Sequence, residues 1–263
     1  MMARQKALLI SLFIFLVAPL VCHAFSQEDE AEALSASEIY KQLTKLYKDK
    51  RNLDVETIAA LFQIIDESYK DADKSSQGKM AKGVKKVFDI SNPEPDQSLM
   101  KAAIGTLSGM GKNGKDALWW ALKHKNLKVK DKKNEGEVRR KAELKAFIIE
   151  AIGFNGQKSS LKDLTQLLWD DDANIIVATC KALACYSKLP LKERKPIVKE
   201  LVKVYATINS LSVSNPKRED YRQKLLQVEV PFNEALRALT LQSLESSVEW
   251  EKWYNNNKSK PKW

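Results

Sequence analysis

The chain has 263 residues, with 44 Lys and Arg against 34 Asp and Glu, a formal net charge of +10. Its 9 glycines are about half the usual 7% share, which disfavours turn-rich β and collagen-like architectures. Two histidines and three cysteines leave little material for metal or triad chemistry and exclude a disulfide scaffold.

The first element is a targeting segment. Arg4 and Lys6 form a basic start, Ala7 to Val21 is an uncharged apolar run, and Cys22-His23-Ala24 offers a small residue for cleavage after Ala24. The run is shorter than the roughly 18–20 residues of a spanning helix. The alternatives are a retained anchor and a lipid-modified Cys22, the latter weakened by bulky Val21 before the cysteine. Cleavage removes Arg4 and Lys6, leaving a charge of +8, one histidine (His124) and two cysteines (Cys180, Cys185). An exported protein, periplasmic or extracellular, is the expectation. Residues 25–34 then read as a flexible acidic leader.

From residue 35 the apolar period is helical. Ile39, Leu43, Leu46 and Tyr47 make one stripe, Ile58, Leu61, Phe62, Ile65 and Tyr69 a second, and Met80, Val84, Val87 and Phe88 a third. These N-terminal helices occupy 35–91. Ser35, Ser160 and Ser246, each with an acid three residues on, are expected to cap helices. Val228 to Val230 ends at Pro231, which is expected to break any helix there. No convincing alternating strand occurs, so the fold class is all-α.

Over 95–256 a pattern recurs. Gly105-Thr106-Leu107-Ser108, Glu150-Ala151-Ile152-Gly153, Lys181-Ala182-Leu183-Ala184 and Arg237-Ala238-Leu239-Thr240 share an apolar residue two positions before the first small one: Ile104, Ile149, Cys180 and Leu236. The small residues permit close helix approach and the flanking Leu or Ile fills the gap. Each copy precedes a second apolar helix, at 117–122, 161–168, 197–205 and 248–254. The copies are 45, 31 and 56 residues apart, which places inserts near 126–137 and 209–230. One helix pair cannot bury its own apolar face, so such pairs must stack. Residues 257–263 form a basic tail expected to be disordered.

The run Asp170-Asp171-Asp172-Ala173-Asn174-Ile175-Ile176-Val177-Ala178-Thr179-Cys180-Lys181-Ala182-Leu183-Ala184 resembles a HEAT-repeat unit, in which an acidic turn opens a helix carrying Val, then Ala, then Ala-Leu-Gly. It lacks the Arg after Val177 and has Ala184 where Gly is commonest. Trp250-x-x-Trp253-Tyr254-x-x-Asn257 is similar to the closing helix of exported bacterial HEAT-repeat proteins. The resemblance covers 95–256 and extends in degraded form into 35–91. It implies an armadillo-like, right-handed α-α superhelix, a HEAT-like solenoid of about four to five helix pairs, that binds other macromolecules and is usually not catalytic.

Chemistry-bearing patterns read mostly as structure. Gly109-Met110-Gly111-Lys112-Asn113-Gly114-Lys115-Asp116 satisfies two phosphate-loop patterns, but a helix precedes it and Asp116 replaces the required hydroxyl, so it is an inter-helix turn. His124, between Lys123 and Lys125, is expected to be a solvated helix-end residue. Cys180 aligns with core positions. Cys185, aligned with Phe154 and Leu241, is expected to be partly buried, and on one helix the two thiols diverge by about 140°. Asp170, Asp171 and Asp172 favour a helix N-terminus rather than a cation site. Trp119, Trp120, Trp169, Trp250 and Trp253 sit on second helices in core or capping roles, and Trp119 and Trp120 cannot both face one side.

The most informative surface feature is 123–141, with Lys123, Lys125, Lys128, Lys130, Lys132, Lys133, Arg139, Arg140 and Lys141 against three acids. A solvated loop and an electrostatic contact both fit. Aromatic residues for base stacking are absent there, which disfavours nucleic acid as the partner. The functional expectation is therefore a non-catalytic, cofactor-free exported scaffold for protein–protein interaction in the cell envelope. The alternative is an adaptor that binds an anionic envelope polymer or lipid through 123–141.

Overall fold

The structure is a computed structural model that describes residues 34–48, 53–90, 97–131 and 133–263. The targeting segment, the acidic leader up to residue 33 and Lys132 lie outside the described residues. The unit Ala36–Trp263 is all-helical, and no strand occurs among the described residues. Its helices are α1 (Ala36–Leu46), α2 (Val55–Ser68), α3 (Lys74–Lys85), α4 (Ser98–Ser108), α5 (Gly111–Leu122) and α6 (Glu135–Asn155). They are followed by α7 (Leu161–Leu167), α8 (Ala173–Ala184), α9 (Leu191–Ser214), α10 (Glu219–Thr240) and α11 (Ser247–Asn257). No described helix is long and apolar enough to cross a membrane.

The helices pack as two files. In the first, α2 lies on α4, α4 on α6, α6 on α8 and α8 on α10; in the second, α1 lies on α3, α3 on α5, α7 on α9 and α9 on α11. The second file is bridged between α5 and α7 by Trp119 Nε1, which donates to Ser160 Oγ at 3.2 Å, and by Lys115 Nζ, which donates to Ser159 Oγ at 3.1 Å. The repeat positions read from the sequence form the seam. Ile104, Ile149, Cys180 and Leu236 are buried, as are Leu107, Ile152, Leu183 and Leu239.

Successive inter-helix turns are tied by side chains that reach backbone carbonyls. The Tyr69 hydroxyl donates to the Met110 carbonyl at 2.9 Å. Asn155 Nδ2 donates to the Ser108 and Gly111 carbonyls, both at 3.0 Å. The Tyr186 hydroxyl donates to the Gln157 carbonyl at 3.1 Å, and Arg194 donates to the Leu239 carbonyl. The Ser108 and Leu239 carbonyls lie in the last turns of α4 and α10, which leave them without intrahelical partners, whereas the Met110 and Gln157 carbonyls also accept backbone bonds from Gly114 N and Ser160 N.

Several expectations are corrected. Helix α10 runs through Pro231. Val228 and Phe232, four residues apart on the buried face, pack on either side of the proline, and their burial offsets its missing hydrogen bond. The insert at 209–230 is thus the distal part of two long helices joined at 215–218. Ser160 does not cap α7; it lies in a short 3₁₀ turn and accepts the Trp119 indole bond. Ser246 does cap α11, with Glu249 completing a capping box. The 3₁₀ turn Lys158–Ser160 follows Gly156, whose φ of +72° ends α6 in a left-handed cap.

The C-terminal residues are docked rather than loose. Trp263 meets Trp253 edge-on with ring centroids 5.2 Å apart, and Lys195 Nζ donates to the Lys258 and Lys260 carbonyls. A large indole shelters apolar surface against α11, which outweighs the polar character of the residues before it. Trp169 also departs from expectation: it follows α7 and is 46% exposed.

Candidate binding groove

The exposed face of the first file carries two adjoining depressions. One part, of about 810 Å³, lies between α6 and α8, with Val138, Ala142 and Ala146 from α6 and Val177 and Ala178 from α8 set among the charged Glu135, Arg139, Glu143 and Asp172. A second part, of about 320 Å³, extends onto α4, with Ile104, Gly105, Phe147, Ala151, Phe154 and Cys185 in its wall. Glu150 and Lys181 line both parts and form an ion pair of 2.9 Å, so this pair is the ridge where the two join.

The periodicity of α6 explains the groove. Leu144, Ile148 and Ile152 point into the core, while Phe147, Ala151 and Phe154 fall on the adjacent arc. Phe147 is 47% exposed and Phe154 is 74% exposed. Lys101 Nζ stands 5.5 Å from the centre of the Phe147 ring. Large aromatic rings held open on a packed helix are the kind of anchor that protein interfaces use.

Cys185 is exposed at the edge of this groove, which corrects the expectation of partial burial; its aligned positions Phe154 and Leu241 are exposed as well. All three lie just past the end of their buried stripe. Contact with the groove wall and then the Glu150 carboxylate push the Cys185 thiol above its ordinary range. Cys180 is fully buried, and burial pushes its thiol up much further. The acidic turn has a structural job: Asp172 Oδ1 caps α8 by accepting from Asn174 N, and Lys224 Nζ donates to the Asp170 and Asp171 carbonyls.

His124 is not a solvated helix-end residue. Its side chain is 9% exposed, with Nε2 3.3 Å from Asp89 Oδ1 and its ring 4.5 Å from that of Trp120. Asp89 supplies the carboxylate that the neighbouring sequence lacks. Trp119 and Trp120 turn to opposite neighbours, Trp119 to Ser160 and Trp120 beneath Lys85 Nζ at 4.2 Å.

The basic stretch splits into two kinds of residue. Lys141 Nζ donates to the Lys128 carbonyl and to Glu137 Oε1, both at 2.5 Å, and is largely covered. Glu137 also accepts from Lys130 N and Asp131 N, so Lys141 and Glu137 together pin the loop to α6. The Lys141 contact, then the backbone donors, hold Glu137 down at about 2. Arg139 pairs with Glu143 at 3.0 Å, and Lys123 lies 6.0 Å from the Trp119 ring centre. Lys125, Lys128, Lys130, Lys133 and Arg140 are exposed. The stretch is thus a fastened loop plus the first two turns of α6.

A scan against protein-family models finds no match for this chain, and comparisons with curated proteins and with solved structures find none either.

Proposed function

We propose that this chain is a non-catalytic scaffold that binds a protein partner in the groove across α4, α6 and α8. The observation that carries this reading is the exposure of Phe147 and Phe154 above an apolar floor. The two-file packing and the turn-to-turn hydrogen bonds support a HEAT-like solenoid, with α2 and α3 as its first pair and the helix pairs winding as a right-handed superhelix. The targeting segment supports work in the cell envelope after cleavage at Ala24. The alternative, a contact with an anionic polymer or lipid through 123–141, draws support from Lys125, Lys128, Lys130, Lys133 and Arg140, exposed and unpaired among the described residues, and loses it from Lys141 and Arg139, which pair within the chain.

A photo-crosslinking residue at Phe154, and separately at Lys130, tests the two readings in envelope extract across a salt series. Capture of a protein from position 154 that persists well above physiological salt, and that Phe147→Asp abolishes, is the expected result. Capture only from position 130, lost steeply with salt, would replace the groove reading with the electrostatic one.

A further inference from the structure

A second groove, of about 780 Å³, lies on the other file, between α7 and α9. Its floor is apolar, formed by Leu161, Pro196 and Ile197, and its rim carries Lys158, Lys162, Lys192 and Lys199 against two carboxylates, Glu193 and Glu200. At one end Lys158 pairs with Glu193 at 2.8 Å; at the other, Lys203 Nζ stands 5.1 Å from the ring centre of half-exposed Trp169. The start of α7 therefore meets the start of α9 and its end meets the middle of α9, so the two helices run parallel. From Lys192 to Glu200 the α9 wall of the groove spans about 12 Å, the length of roughly eight helical residues.

The rim charges are not consumed within the chain. Lys158 is engaged by Glu193, but Lys162, Lys192 and Lys199 form no ion pair among the described residues and outnumber the remaining rim carboxylate, Glu200. An apolar trough between two parallel helices fits a third helix laid along it, with its apolar stripe down. Open lysines on the rim select carboxylates on the flanks of that stripe. A plain polyanion would satisfy the rim but leave the floor uncovered. We propose that the α7–α9 groove is a docking site for an acidic amphipathic helix of a protein partner, distinct from the groove on the first file.

The probe is a fluorescein-labelled helical peptide with Leu at i, i+4, i+7 and i+11 and Glu on the flanks, titrated by anisotropy into the full chain. A peptide of the same composition with its stripe scrambled, and polyglutamate, are the comparison ligands. Saturable binding of the amphipathic probe, at least about tenfold tighter than either comparison, is expected. Joint Lys162→Glu, Lys192→Glu and Lys199→Glu should weaken it about tenfold or more, and the neutral Gln versions by less. Joint Lys70→Glu, Lys74→Glu and Lys82→Glu, an equal charge change elsewhere, should leave it unchanged. Polyglutamate binding as tightly as the probe would make the groove a plain cationic surface and overturn the helix. Equal losses from the two reversal sets, or no saturable binding, would overturn the site.

Discussion

Gly153 of α6 lies directly against Ala182 of α8: a Cβ at position 153 would fall 2.3 Å from Ala182 Cα and 2.6 Å from its carbonyl oxygen. Hydrogen is the only substituent that fits. This contact sets how closely two first-file helices approach, and with it the width of the groove above them.

Gly153→Ala should destabilise the chain by about 1–3 kcal/mol, because the added methyl forces two backbones apart. In an open helix the same change gains up to about 1 kcal/mol from helix propensity. Gly105→Ala, where a Cβ meets nothing within 4 Å, is the matched control and should be neutral or stabilising. Urea unfolding midpoints separate the two, and similar shifts in both variants would refute the packing argument.

Asn155→Ala removes both bonds that tie the α6 end to the Ser108 and Gly111 carbonyls. Part-buried carbonyls lose their donor, so a cost of about 1–3 kcal/mol is expected. Amide exchange should accelerate first in the turn around 108–111. Uniform acceleration across the unit would show that the bond does not act locally.

Trp250 is fully buried and its indole donates to Asn233 Oδ1 at 2.9 Å, while Asn233 Nδ2 donates to the Glu245 carbonyl at 2.7 Å. Trp250→Phe keeps an aromatic ring but strands Asn233 Oδ1 and leaves a void. A loss of about 2–4 kcal/mol is expected by thermal unfolding. Asn233→Leu removes the stranded acceptor but also the donor to the Glu245 carbonyl, so the double variant should lose less than the sum of the two single changes; strict additivity would count against the hydrogen-bond explanation.

Acid should release the 128–131 loop late. Glu137 is held at about 2, below the ordinary glutamate value of 4.5, so its contribution is complete above 4.5 and is lost as pH falls through about 2. The amide shifts of Lys130 and Asp131 should titrate near 2 in NMR spectra, and Lys141→Met should move that midpoint upward. A wild-type midpoint near 4.5 would mean the Lys141 clasp is not formed in solution.

Thiol reagents should distinguish Cys185 at the groove edge from Cys180 in the core. In a Cys22→Ser background, one thiol should react in the folded chain, Cys185, because Cys180 is sealed in the core. The reaction should be slower at neutral pH than for an ordinary exposed cysteine, since partial desolvation and Glu150 disfavour the thiolate. Glu150→Gln should speed it. Labelling of Cys180 at a comparable rate would contradict the packing of α8.

Much of the architecture was legible in the sequence because helices announce themselves locally. The stripes at Ile39–Tyr47 and Ile58–Tyr69, the capping pair Ser246 and Glu249, and the small residues at 153 and 182 depend on spacing along the chain, and the structure places them in helices and seams. Pro231 misled because a local rule was outweighed by the burial of Val228 and Phe232. What only the tertiary structure decided is which neighbours meet across long separations. Asp89 comes to His124, Trp263 returns to Trp253, and Lys141 folds back on Lys128. The two grooves belong to this second class. Phe147 and Phe154 sit seven residues apart, just off the core stripe of α6, a signal that was present but could not be read without knowing which arc the neighbouring helices cover. The lysines around α7 and α9 are scattered over 158–199 and become one rim because parallel packing aligns helices that are distant in sequence.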